Sequence, residues 1–538
     1  MACLGVQLHA KVPPERWCVT RADLIDFREQ CLAAVQEGRV LPTERDPFDP
    51  ADEVFGPSIH TITDQLIKPT SAAHGDVSWA LMQHAEGLPC DLFVTHGWQE
   101  GVFEFCDKVL SSWPPGARHA YCCMLANPQN LDVSSLISSP EASPFARALR
   151  SASVVLVVPN RRSSIYTRLW CVYEAFLACR WDKALYIAHR PLGSHGWAAL
   201  RRFAALSCLG GAVLVALVSW LDDDFDVDLD AVPLNAAASL LAVHLRSPGW
   251  ARVVNGLAGV ISSWLFLASV MRVASSRRAW DELPGTVASL LAHAVWLCVP
   301  MASERRRFED CRDALEGALL SHSGSTRDAI CSNGRDEENI RAAIGADWAI
   351  VDGSVSVLVA AGMSTTSLRQ AAAAGVDVRG AGRVSTPALC LNWVLWLWSS
   401  CFFAQLPFGS WLWFDAGCAV AWAAAWLRRP DDQKAFAASA LAFLTLCRAP
   451  CVLLACTILG GYRRRYVGLA ATERLAAFLL PCAMSLSLLQ LLLLFVPLGL
   501  IARIPCVGPA VASTLLLRPC FRSTVAQNIA VELAERSY

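Results

Sequence analysis

Charge is scarce in this 538-residue chain: Asp, Glu, Lys and Arg make up 17% of it, against roughly 25% in ordinary soluble proteins. Lysine is rarest, confined to Lys11, Lys68, Lys108, Lys183 and Lys434. That scarcity reads as codon-usage bias with little mechanistic content. The formal net charge of −1 removes any global electrostatic argument for nucleic acid, so no nucleic-acid partner is expected. The 22 cysteines are scattered and include no Cys-x-x-Cys pair, the spacing that converging zinc ligands usually need. They are read as small buried hydrophobes, and no metal site is assigned. No phosphate-binding Gly-x-x-x-x-Gly-Lys-Ser/Thr loop occurs, and Gly380-Ala-Gly382 lacks the helix-opening glycine of a dinucleotide loop. The first residues lack the apolar core of a signal peptide, and Ala2 stands where N-myristoylation requires glycine. The N-terminal part is therefore expected on the cytosolic side.

What the chain has in abundance is apolar surface. It is 54% hydrophobic, contains 20 Trp, and has a mean hydropathy of +0.38. Much of that surface must face lipid or protein. Ala204–Leu221, Val253–Met271, Pro284–Met301, Pro387–Leu406, Trp411–Leu427 and Leu475–Ala502 are apolar runs at or near the length of a membrane span, and Ala231–Leu245 is a weaker one. Six to eight spans are expected, with the lipid bilayer as partner. Arg201-Arg202 before the first run and Arg305-Arg306-Arg307 after the fourth place both ends of the first membrane region (203–302) in the cytosol. Asp222 to Asp230 holds six acids in nine residues but lacks the glycine and terminal glutamate of a calcium loop, so it is read as a solvated loop. Phe436–Leu459 carries Arg448 beside Pro450, a polar membrane candidate, and is read as re-entrant.

The polar parts organise differently. Residues 1–88 contain one amphipathic helix, Thr20–Gln36, and are read as an extension packed on the adjoining domain. Residues 89–192 alternate strands and helices: Asp91–His96, Val102–Val109, Tyr121–Ala126, Phe145–Arg150, Ala152–Pro159, Leu169–Leu177 and Ala184–Ala188. Such alternation implies a parallel sheet with crossover helices. Residues 303–385 are a polar cytosolic insert, with helices at Glu304–Leu320, Asp336–Trp348 and Thr365–Ala374 and an apolar, β-branched strand at Ile350–Ala360. Residues 386–502 form the second membrane region and 503–538 a tail. The fold class is thus multidomain, an N-terminal α/β flavodoxin-like parallel sheet joined to an all-α polytopic membrane region.

The chemistry concentrates in Ser163–Phe176. Leu169, Val172, Tyr173, Phe176 and Leu177 recur at helical spacing and form a stripe that packs on a sheet. Glu174 lies off that stripe, one turn after Trp170 on the same flank. A carboxylate and an indole therefore share one rim of a strand-to-helix crevice, the place where open α/β sheets bind ligands.

Residues 90–190 resemble a Toll/interleukin-1 receptor (TIR) domain, particularly the plant-like kind. The resemblance rests on Asp91-Leu-Phe-Val-Thr95 as opening strand, on Phe145 to Val158 as second helix and third strand, and on Tyr166-x-x-x-Trp170-Cys171-x-x-Glu174. It covers about a fifth of the chain. It implies that Glu174 supports cleavage of the nicotinamide–ribose bond of NAD, with NAD a substrate and no bound cofactor. A carboxylate suits that role because breaking an N-glycosidic bond develops positive charge on the ribose. Trp170, Tyr166, Thr95 and His96 are the substrate-contact candidates. The resemblance further implies that the loop Asn127–Ser143 closes the site and that the domain acts as a homo-oligomer. Two departures are visible: only Arg190–Leu200 follows the fourth strand before membrane-like sequence, and His96-Gly-Trp-Gln-Glu100 replaces the usual polar segment after the first. The expected function is a membrane-anchored signalling protein that cleaves NAD. The alternatives are a non-catalytic self-association adaptor, or a transporter or channel regulated by the TIR-like module.

Overall fold

The computed structural model describes residues 4–114, 116–131, 139–221, 248–275, 283–320, 325–373 and 378. The chain divides into two compact units, residues 1–191 with 311–381, and residues 192–310 with 382–538. The first begins with β1 (Val19–Thr20), α1 (Arg21–Gln36), β2 (Leu92–Thr95), α2 (Val102–Ser111) and β3 (His119–Cys122). It continues with α3 (Pro144–Ser151), β4 (Val154–Val157), α4 (Leu169–Arg180) and β5 (Ala184–Ile187). The second unit holds α5 (Ser194–Leu221), α6 (Pro248–Ser275) and most of α7 (Leu283–Leu320). The first unit is completed by α8 (Gly334–Ile344), α9 (Trp348–Ala361), β6 (Met363–Ser364) and α10 (Thr366–Ala373).

One mixed six-stranded sheet runs β1-β3-β2-β4-β5-β6. Its four central strands are parallel, while β1 and β6 add antiparallel edges. Alternate residues of each strand feed opposite faces. Phe93, Tyr121, Val155 and Leu185 join the core under α3, α4 and α9, whereas Leu92, Val94, Ala120 and Leu156 join the core under α1 and α2. Both faces are covered, which is why the central strands read as continuous apolar runs.

The edges come from segments far away in sequence. Thr20 opens α1 with a reciprocal cap: its hydroxyl accepts from the Asp23 amide at 3.1 Å, and its own amide donates to the Asp23 carboxylate at 2.6 Å. That cap fixes the turn from β1 into a helix whose Leu24, Phe27 and Cys31 are wholly buried. At the other edge, the expected strand at Ile350–Ala360 is instead the helix α9. Its buried positions, Trp348, Val351, Ser354, Val357, Leu358 and Ala361, follow helical spacing. A short apolar, β-branched run has no periodicity that separates buried strand from buried helix. Gly362, in the left-handed region at φ 81°, ends α9 and turns the chain into β6. The strand expected over Tyr121–Ala126 likewise stops at Cys122, and Cys123–Ala126 forms a helical turn.

In the second unit α5 and α6 pack side by side. A Cβ on Gly211 would lie 2.7 Å from the Trp264 amide nitrogen, and one on Gly259 would lie 2.5 Å from the Ser207 hydroxyl. Close backbone approach through small residues is how helices associate in lipid. Gly196–Trp220 and Arg252–Met271 are long and apolar enough to cross a membrane. Pro284–Met301 is helical within α7. The Asp222–Asp230 run, the weaker span, the later apolar runs and Arg448 lie outside the described residues.

Candidate functional site

The strand order defines a crevice. β2 has β3 on one side and β4 on the other, so the chain leaves neighbouring strand ends in opposite directions between β2 and β4. The loop after β2 there meets the loop after β4: a Cβ on Gly97 would stand 3.1 Å from the Asn160 side-chain nitrogen, a tight contact that the Asn160 side chain would have to relieve. A cavity of about 350 Å³ opens at this point. Gly97, Trp98, Asn160, Thr167, Arg168 and Trp170 line it, together with His60 and with Ile330 to Ser332.

Trp170 is held at the cavity wall by its place in the first turn of α4, with its ring 5.2 Å from Phe145 and 6.1 Å from Tyr173. Glu174 follows one turn later and retains only 8% of its accessible surface. It makes no ion pair among the described residues. Burial pushes its carboxyl up to about 7, opposed by the neighbouring Thr95 hydroxyl and by the charge of Arg168. Thr95 is itself buried at the end of β2. A carboxyl titrating near neutrality, beside a positive charge and under an indole-lined cavity, can change protonation state or stabilise a nearby cation.

Among the other candidates, His96 is buried beneath the crevice, with Nε2 3.1 Å from the Cys123 sulfur. Burial and the neighbouring Arg168 lower its pKa to about 3, so it stays neutral at physiological pH. Tyr166 is wholly buried in the core beside Cys171 and Cys179, away from the cavity lining. The structure therefore gathers Trp170, Glu174, Thr95 and His96 around one strand-end region and puts only Trp170 on the cavity wall. Of the expected closing loop, residues 132–138 lie outside the described residues, and Tyr121 donates to Asn127 at 2.6 Å from below.

Several lining residues are not evident from sequence. Trp98 and Arg168 fall inside the motifs without a role assigned to them, although their position after strand ends is a usable signal. Ile330 to Ser332, from the polar insert, carry none. A second, polar cavity of about 720 Å³ shares His60 with the first and is lined by Asp46, Thr61, Asp64 and Arg162 among others. No protein-family model, curated protein or solved structure matches the chain.

Proposed function

We propose that residues 1–191 and 311–381 form a TIR-like signalling domain on a multi-pass membrane protein, and that its crevice cleaves NAD at the nicotinamide–ribose bond. The observation that carries this reading is Glu174, a buried carboxyl with its pKa near 7, one turn below Trp170 at the strand-order switch. In the reaction the N-glycosidic bond breaks and its electron pair leaves with nicotinamide. The ionised carboxylate stabilises the positive charge developing on the ribose. Water then adds at the same carbon and releases its proton to solvent. Arg168, on the cavity wall, supplies positive charge for the anionic pyrophosphate.

The test is nicotinamide release by the full chain in lipid nanodiscs, with Glu174→Gln as comparison. Release by the wild type and its loss by at least ~100-fold in the variant supports the reading. Equal hydrolysis by both overturns it. A second reading draws on Glu174 lying beneath the cavity lining: the crevice binds nucleotide without turnover and biases self-association. Nucleotide-dependent oligomerisation with no nicotinamide released would favour that reading.

A further inference from the structure

Part of the lining of the cavity that Trp170 lines comes from residues 330–332, far from Trp170 in sequence. Ile330 pairs with Arg168 as an isolated bridge. The Ile330 amide donates to the Thr167 carbonyl at 3.0 Å, and the Leu169 amide donates to the Ile330 carbonyl at 2.9 Å. These two bonds stitch a strap onto the start of the helix that carries Trp170 and Glu174. The approach of the strap to Ile330 is held at two further points. Asp352 accepts from the Thr326 amide at 2.8 Å, the Thr326 hydroxyl at 2.7 Å and the Ser325 hydroxyl at 2.9 Å. Arg341 donates to the Arg327 and Ala329 carbonyls, each at 2.8 Å.

The strap's neighbours pack inward: Ala329 is wholly buried and Cys331 packs against the core. Ile330 between them keeps 70% of its surface exposed, although its backbone is pinned and it lines the same cavity as Trp170. A lone exposed isoleucine needs no explanation on an ordinary surface. In the lining of a cavity that also holds an indole, it adds a second apolar group.

Resting on the reading of the crevice as an NAD site, we propose that Ile330 is a specificity residue that holds the planar nicotinamide ring of the substrate against Trp170. The chemistry fits a pyridinium: a cationic ring is attracted to an indole face, and an aliphatic neighbour excludes water from the ring. Ile330 touches no reacting atom in this role. It sets the affinity for the ring and leaves the bond-breaking step to Glu174.

The experiment uses the full chain in nanodiscs and compares wild type, Ile330→Ser, Ile330→Leu and Asp352→Ala. Steady-state NAD hydrolysis is measured beside calorimetric binding of nicotinamide mononucleotide and of ADP-ribose, which lacks the ring. Ile330→Ser should raise KM for NAD about tenfold with kcat within about twofold, and weaken mononucleotide binding similarly while sparing ADP-ribose. Ile330→Leu should restore wild-type values. Asp352→Ala, which frees the strap without altering Ile330, should raise KM in the same direction. If wild type hydrolyses NAD and Ile330→Ser leaves KM unchanged, the role of Ile330 is overturned while the NAD reading stands. If nothing is hydrolysed yet mononucleotide binding depends on Ile330, that role stands and the catalytic reading fails. If wild type neither hydrolyses NAD nor binds the mononucleotide, both are overturned.

Discussion

At the scale of single residues, Glu174 is where burial moves an ordinary carboxyl toward titration near neutrality. Its pKa moves from 4.5 to about 7 because burial disfavours the charge more than Thr95 and Arg168 restore it. The ionised form is the one that stabilises an oxocarbenium, so turnover should rise with pH through an apparent pKa near 7. A pH profile of kcat/KM between 5 and 9 checks this. The sign for stability is opposite. A carboxyl whose folded pKa is raised stabilises the fold while protonated, below the unfolded value, and that contribution is lost as pH climbs to about 7. Glu174→Gln should therefore be the more stable protein above neutral pH, by about 3 kcal/mol, and equal to wild type near pH 4.

A second residue-scale feature sits on the other side of the sheet's strand ends. Lys108 is wholly buried, 3.0 Å from Glu104, 2.8 Å from Glu316 and 2.6 Å from the Pro159 carbonyl, and Arg190 also pairs with Glu104. Glu100, also buried, has no hydrogen-bond partner among the described residues for either carboxylate oxygen, and burial pushes its pKa well above the usual range. Three acids around two cations leave one to be neutral, and Glu100 is that one. Lys108→Ala leaves the buried Glu104 and Glu316 to share Arg190 alone and should cost about 3–5 kcal/mol in denaturant unfolding, whereas Glu100→Gln should be tolerated at neutral pH.

At the scale of elements, what the sequence disclosed depended on periodicity. The α4 stripe was legible because Leu169, Val172, Tyr173 and Phe176 repeat at helical spacing, and that repeat alone put Trp170 and Glu174 on one flank. α9 was illegible as a helix because Ile350 to Ala360 is apolar nearly throughout, and only its docking against α4 and β6 selects the helix. The Ile330 strap had no periodic signal at all, since its conformation is set by two backbone hydrogen bonds to Thr167 and Leu169. Tyr166 shows the reverse: the motif singled it out, yet its side chain fills core volume. In the second unit, Gly211 permits the close approach of α5 to α6. Gly211→Leu should force the pair apart, and a disulfide engineered across the pair should form more slowly in that variant than in its parent.

At the scale of the whole molecule, the sheet is assembled from three separate stretches of the chain, Val19–Thr20, the strands between Leu92 and Ile187, and Met363–Ser364. β1 comes from the start of the chain, the parallel strands from its next part, and β6 from beyond the two helices long and apolar enough to cross a membrane. This explains why the sheet reads as truncated after β5 in sequence. The missing edge is supplied by Met363–Ser364, antiparallel to Leu185–Tyr186. The same return of the chain brings Ile330 to the crevice, so a fragment ending near residue 192 would lack one edge of the sheet and one wall of the cavity. Enzymatic tests therefore require the full chain.

The most direct test of the central claim is nicotinamide release from NAD by the full-length protein in nanodiscs, followed over time by chromatography, beside Glu174→Gln prepared identically. Release by the wild type, rising with pH through neutrality, is predicted, with none above background from the variant. Equal release from both proteins, or none from a wild type that binds NAD, would contradict it.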